Sequence, residues 1–109
     1  MKLWHVAQWG NEKTGVNGYD TQCIVSAIDL PSAVSRAEKH FAEEVSHPYK
    51  GGVSDVALLI GEDTKPDREA VLVFGAWIGI ADNKMHYPAW YRHPETNEWL
   101  DQKTMYGVE

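Results

Sequence analysis

The sequence predicts an α+β fold, in which a four-stranded antiparallel sheet of order β-β-α-β-β carries one helix on one face and a C-terminal aromatic β-hairpin. Three observations support this prediction. Short runs rich in aromatic and β-branched residues alternate with turns rich in glycine and asparagine, which is typical of strands. A single stretch has apolar residues at helical spacing. Near the C-terminus, a segment with turn composition is flanked by two aromatic runs.

The first quarter of the chain has the pattern of an antiparallel hairpin. Residues 3–9 are aromatic and β-branched, and they predict a strand. The loop that follows, 10–18, contains three glycines and ends on Asn17-Gly18, a pair that favours a tight turn with positive φ. Residues 19–28 predict a second strand, and two sequential strands joined by a turn most simply pair with each other.

The next segment changes to a helical period. Leu30 and Pro31 open it, and proline is tolerated in the first turn of a helix because the N–H that it lacks has no partner there. From Leu30 the apolar residues fall at positions 30, 33, 34, 37, 41 and 45, the spacing of one buried helical face. We expect the helix to end near Ser46, since Pro48 disfavours a helical conformation in the residue before it.

Two more strands are predicted over residues 53–60 and 71–80, joined by a charged connection over 61–69. The run 71–80 is apolar on both alternating sides and contains Gly75 and Gly79. Such a pattern favours a central strand, or a strand whose second face is also covered.

Coverage of the sheet raises a difficulty for this fold. One helix covers one face of a four-stranded sheet and leaves the other face in water. The sequence has more large apolar side chains than one face of the sheet can bury, and they include Trp4, Trp9 and Trp77. We therefore expect the tail, a second copy of the chain or a different protein to cover the second face.

The tail contains a predicted hairpin, with strands over 89–93 and 98–102 around the turn Pro94-Glu95-Thr96-Asn97. A lone hairpin is marginally stable in water, so one of its faces should rest on the rest of the protein. The expected cross-strand pairs are His93 with Glu98, Arg92 with Trp99, and Tyr91 with Leu100.

This register places Trp90, Arg92 and Trp99 on one face, where the Arg92 guanidinium can stack on an indole. Two interpretations stay open. The aromatic side chains of the tail cover the open face of the sheet and have a structural role. Alternatively, Trp90, Arg92 and Trp99 stay partly exposed as anchors for a partner, because Trp, Tyr and Arg are enriched in interface hot spots. Both hold if one hairpin face points inward and the other outward.

Length and composition are those of one globular domain, 1–109, with a sheet-plus-helix body over 1–81 and the aromatic tail over 82–109. No apolar run reaches the roughly 18 residues of a membrane span, and the N-terminus lacks a signal-peptide pattern. Cys23 is the only cysteine, so no internal disulfide forms and a cytoplasmic location is expected. The net charge of -6, with no basic cluster, disfavours nucleic acid as a partner.

A metal site is not expected. His40 and Glu44 lie four residues apart on the predicted helix, as do Glu43 and His47. Zinc, however, needs three or four convergent ligands, and neither an HExxH motif nor a paired CxxC motif is present.

Catalytic and cofactor signatures are not found either. Cys23 lies in an apolar strand, which suits an inert, buried thiol. His5 and Asp20 lie on strands that should pair, and structural hydrogen bonding is the more ordinary role for such a pair. "GNEKTGVNG" lacks the spacing of a phosphate-binding loop and is not followed by a helix. No cofactor is expected.

Four short features within residues 1–80 form a pattern: "MKLWHVAQ", "VNGYDT", a helix entered through Asp29-Leu30-Pro31, and "LLIGED". It resembles short uncharacterised phage and bacterial proteins that begin M-K-x-aromatic and carry N-x-x-Y-D-T before a strand and a helix. The matching positions are Asn17, Tyr19, Asp20 and Thr21, with one residue instead of two between the asparagine and the tyrosine. The chain departs at Gln22-Cys23, where similar chains continue Tyr-Asp, and in its aromatic tail. The resemblance implies a bacterial cytoplasm during phage infection and assigns no functional residue.

These observations predict a small acidic, non-enzymatic binding protein, encoded by a phage or mobile element, that occupies the surface of a host protein. The partner is a host factor or a second copy of the chain, and no membrane partner is expected. The alternative is a homo-oligomer that binds or sequesters a small ligand such as a nucleotide, and a small enzyme is the third hypothesis. The predicted partner-binding residues are Tyr87, Trp90, Tyr91, Arg92 and Trp99, and those of the ligand-binding alternative are Asn17, Gly18, Tyr19 and Asp20.

Overall fold

The structure, a computed structural model, describes residues 1–8, 22–44, 54–65, 68–74, 87–93 and 95–106. These residues form an α+β fold with one long helix and one antiparallel sheet, which confirms the predicted fold class. The elements are β1 (Lys2–Ala7), β2 (Gln22–Ala27), α1 (Leu30–Glu44), β3 (Val56–Glu62), β4 (Ala70–Phe74), β5 (Ala89–Arg92), β6 (Trp99–Asp101) and a short α2 (Gln102–Tyr106).

The described strands form a single sheet in the order β4-β2-β1-β3-β5-β6. The predicted pairing of the first two strands is confirmed, since β1 and β2 are antiparallel over their whole length, from Lys2 opposite Ala27 to Ala7 opposite Gln22. The second edge of β1 pairs with β3. Burial agrees with this central position, because β1 is buried from Trp4 onward.

Helix α1 begins where the sequence predicts. Asp29 caps it: the Ser32 amide donates to Asp29 Oδ1 at 2.9 Å, and the Ala33 amide donates to the Asp29 carbonyl at 3.0 Å. The helix is described to Glu44, and the expected end near Ser46 lies outside the described residues. Its apolar stripe forms the main core with one face of the sheet; the members of this core are Trp4, Val6, Cys23, Val25, Ala27, Ala33, Ala37, Phe41 and Ala57.

The sheet has six strands in the described part of the chain, in place of the four expected. The additional two are the predicted hairpin, which does not lie across the sheet but extends it. Strand β5 pairs with β3, with Ala57 opposite Trp90 and Leu58 opposite Ala89. The free edge of β3 explains this placement, because unpaired backbone N–H and C=O groups gain hydrogen bonds from a neighbouring strand, whereas stacking on the face gains burial alone.

The second face of the sheet is also buried, although α1 lies on the other side. Its apolar cluster contains Ala7, Val56 and Leu58, all at 0% exposure, together with Ala89 and Tyr91. Of the three candidates expected to cover this face, the described part of the tail contributes Ala89 and Tyr91 to it from within the sheet. Residues 75–80, predicted to continue the fourth strand, lie outside the described residues.

Candidate functional site

The hairpin β5–β6 has the register that the sequence predicts. Arg92 lies opposite Trp99 and Tyr91 opposite Leu100, and the His93 amide donates to the Glu98 carbonyl at 2.8 Å. Asn97 closes the turn in the left-handed region, with φ of 62°. Asparagine tolerates this conformation better than most residues, so the turn composition determines the register locally.

The ring of His93 also stabilises the turn. Its Nδ1 accepts hydrogen bonds from the amides of Glu95 at 3.1 Å and Thr96 at 3.3 Å. The histidine therefore has a structural role in the hairpin turn, where it satisfies the amides of Glu95 and Thr96.

Arg92 joins the hairpin to the helix and to the start of β3. Its Nε donates to the Ser54 carbonyl at 2.6 Å, and its Nη2 donates to Glu38 Oε2 at 2.6 Å. The same Glu38 oxygen accepts from the Ser54 amide at 2.8 Å and the Ser54 hydroxyl at 2.7 Å. The guanidinium lies 5.0 Å from the ring centroid of Trp99, a cation–π contact. We call Arg92, Glu38, Ser54 and Trp99 the Arg92 clamp.

Trp90 lies beside the clamp and contacts the core. Its ring centroid is 5.6 Å from that of Trp4, with the two planes tilted by 55°. Trp4 is buried and its Nε1 donates to the Ala27 carbonyl at 3.2 Å. Trp90 and Trp99 both pack against the main core and are half-buried, so each indole has an anchored side and an exposed side.

The five predicted partner-binding residues are divided between the two faces of the sheet. Trp90, Arg92 and Trp99 come together on the helix side, as the predicted register requires. Tyr91 is 8% exposed on the opposite face, and Tyr87 packs against the same second-face cluster. The structure thus brings three of the five into one cluster and separates the two tyrosines from it.

The four residues predicted for the ligand-binding alternative, 17–20, lie outside the described residues. The proposed pairing of His5 with Asp20 is likewise not described. His5 instead contacts Gln22, with its Nε2 2.8 Å from Gln22 Oε1. Because a carbonyl oxygen only accepts, Nε2 carries the proton.

Sequence reasoning missed a polar cluster inside the second face. His5 is fully buried, and burial lowers its pKa while the Gln22 hydrogen bond opposes that shift. Its Nδ1 and the hydroxyl of buried Ser26 have no hydrogen-bond partner in the described part of the chain. The alternation of polar His5 and Gln22 with apolar neighbours could have placed them on one face, but it does not reveal that this face is buried.

Cys23 is a buried, free cysteine on the helix side of β2. Burial raises the pKa of its thiol to about 12, so the group is protonated at neutral pH and is a poor nucleophile. The structure thus supports an inert role for this thiol.

Within the described ranges, no three His, Cys, Asp or Glu side chains converge in the way a metal site requires. None of the helices described is both long and apolar enough to cross a membrane. No protein-family model, curated protein sequence or solved structure matches the chain. Any assignment of function therefore depends on the geometry of its own residues.

Proposed function

We propose that this chain is a non-enzymatic binding protein that occupies the surface of another protein with Trp90, Arg92 and Trp99, in the setting of a phage or mobile element. The observation that supports the proposal is the Arg92 clamp. Two half-buried indoles stand beside an arginine whose position is held by Glu38 and Ser54, at the end of the sheet. Aromatic residues and arginine of this kind supply most of the affinity at protein interfaces.

The clamp lowers the entropic cost of binding. Arg92 is 16% exposed and Glu38 29% exposed, so the pair is largely shielded from water, and two hydrogen bonds restrain the guanidinium. A side chain that is already ordered loses little conformational freedom when a partner arrives. The exposed sides of Trp90 and Trp99 then provide apolar area for burial.

Charge supports a basic partner at long range. The chain has a net charge of -6, and residues 62–69 contain four acidic and two basic residues. The electrostatic field of this negative charge raises the rate of encounter with a basic protein surface and adds little to the final affinity. The proposed mechanism is therefore steering by charge followed by burial of the indoles.

Affinity capture from the native host tests this proposal. Trp99→Ala should abolish capture of the partner while the circular dichroism spectrum stays that of the wild type. Ile28→Ala is the matched control, since this apolar side chain is 62% exposed elsewhere on the molecule. Capture that survives Trp99→Ala in a folded protein would overturn the proposal.

A crosslinking experiment tests the same surface without changing Trp90, Arg92 or Trp99. A photoreactive amino acid at exposed Thr96, in the hairpin turn, should crosslink to the captured protein, whereas the same group at exposed Lys65 should not. Light scattering identifies the case in which the captured protein is a second copy of the chain. Equal crosslinking from both positions would contradict a surface located at the hairpin.

A further inference from the structure

A trough lies between α1 and β4, at the opposite end of the sheet from the hairpin. It consists of a groove of about 500 Å³ and a neighbouring groove of about 440 Å³, which share Arg36, Lys39 and Glu69. On the helix, the lining extends from Pro31 to Glu43, or about 18 Å at 1.5 Å per residue. We call this feature the α1–β4 trough.

Three cations line the trough. Arg36 and Lys39 are three residues apart and lie on the same side of α1, while Arg68 lines the trough from the segment before β4. Among the described residues, none of the three forms an ion pair, although Glu43 and Glu69 also line the trough. In a chain of net charge -6, three neighbouring cations that form no ion pair within the described ranges favour an anionic ligand.

Strand β4 adds a second feature, an open edge. It is the last strand in the order and pairs with β2, and no other strand in the described ranges pairs with its outer edge. Leu72 in its middle is 50% exposed. An edge strand presents N–H and C=O groups to which an extended peptide can add. From Ala70 to Phe74, β4 spans about 14 Å, so a short extended peptide can pair along it.

We propose that the α1–β4 trough binds an extended acidic segment of another protein, which adds as a strand to β4 and places carboxylates against Arg36, Lys39 and Arg68. In an extended chain, alternate side chains point to the same side, about 7 Å apart. Acidic residues at alternate positions can therefore face the cations. Glu43 and Glu69 disfavour a dense polyanion such as polyphosphate by repulsion, whereas spaced carboxylates can avoid them.

This site is independent of the hairpin surface. Strands β2, β1 and β3 separate β4 from β5, a distance of about 19 Å at the usual strand spacing. A failure of binding at the trough therefore says nothing against the hairpin surface, and the reverse also holds.

Fluorescence anisotropy with a defined probe tests the proposal. The probe is a short labelled peptide of alternating glutamate and valine, measured in about 0.1 M salt, where the overall charge of the chain is screened beyond about 10 Å. We expect it to bind roughly tenfold more tightly than the same peptide with glutamine in place of glutamate, as the loss of two or three partly exposed ion contacts implies. Equal affinity of the two peptides would overturn the proposal.

Matched variants locate the site. Arg36→Gln with Arg68→Gln should weaken binding roughly tenfold, because two of the three cations are removed. Lys2→Gln with Lys65→Gln lowers the net charge by the same amount at exposed positions that do not line the trough, and it should have little effect. If both pairs weaken binding equally, the attraction is a diffuse charge effect and the trough is not the site.

Hydrogen exchange tests strand addition. Bound peptide should protect the amides of β4, residues 70–74, and a peptide with N-methylated backbone amides should neither bind nor protect. Protection elsewhere, or equal binding of the N-methylated peptide, would contradict the proposal. Displacement of the peptide by inorganic phosphate, but not by chloride at equal ionic strength, would assign the trough to a small anion and also overturn it.

Discussion

The guanidinium of Arg92 makes contacts with three separate parts of the chain: the helix, the segment before β3 and the strand opposite. The contact with Trp99 follows from the hairpin register and is predicted from the sequence. The contacts with Glu38 and Ser54 cross 54 and 38 residues, and no local pattern points to them. A contact within the site can thus be predicted from the sequence when the two residues that form it are close together in the chain.

Arg92→Lys should lower the free energy of unfolding by about 1–2 kcal/mol. Lysine keeps the charge but cannot donate to Ser54 and Glu38 with one planar group, and it stacks less well on Trp99. Urea unfolding followed by circular dichroism measures the change. Lys65→Ala, at an exposed position, is the control and should stay within about 0.5 kcal/mol of the wild type. An Arg92→Lys protein as stable as the control would show that the clamp adds no stability.

His5 should make stability depend on pH. Burial lowers its folded-state pKa below the ordinary 6.5, so below pH 6.5 the unfolded chain binds the proton more readily than the folded chain does. Stability conferred by neutral His5 is present above pH 6.5 and is lost as the pH falls from there toward the folded pKa. We expect the urea midpoint to fall between about pH 6.5 and pH 5, and to fall less in His5→Gln. Lys65→Ala, at an exposed position, should keep the wild-type slope, and a similar slope in His5→Gln would assign the dependence to other groups.

At the scale of elements, the predicted helix and hairpin agree with the structure because their signals are local. Asp29 accepts from the Ser32 amide at the start of α1, and the Asn97 amide donates to the His93 carbonyl in the hairpin turn, so both contacts lie within a few residues. Strand ends are less well predicted. The third strand was expected over 53–60 and forms at Val56–Glu62, because pairing with β1 determines where the strand begins and ends.

Asn97 provides a test of the hairpin turn. Its φ of 62° lies in the left-handed region, where alanine is disfavoured and glycine is not. Asn97→Ala should cost about 1 kcal/mol of unfolding free energy, and Asn97→Gly should cost close to nothing. Thermal unfolding of the two variants side by side measures the difference. If Ala and Gly have the same effect, the turn does not depend on this backbone conformation.

At the scale of the whole molecule, the sheet carries the hairpin as its β5–β6 end, so the tail is continuous with the body. Amide exchange should reflect the order of strands. We expect β1 and β3, the two middle strands of the order, to exchange most slowly, and the outermost described strands β4 and β6 to exchange faster by at least about tenfold. Hydrogen exchange followed by mass spectrometry resolves these segments. A hairpin that exchanges far faster than β4 would indicate that it opens separately from the sheet.

The sequence by itself determined the fold class, the positions of the helix and hairpin, and the alignment of Arg92 with Trp99, because periodicity, capping and turn chemistry act between residues close in the chain. The tertiary structure alone decided that the hairpin extends β3, that Trp90 and Trp99 face the helix, and that Glu38 and Ser54 hold Arg92. The physical reason is that every strand edge offers the same backbone donors and acceptors. Which edges meet therefore depends on packing across the whole chain, and no short pattern encodes it.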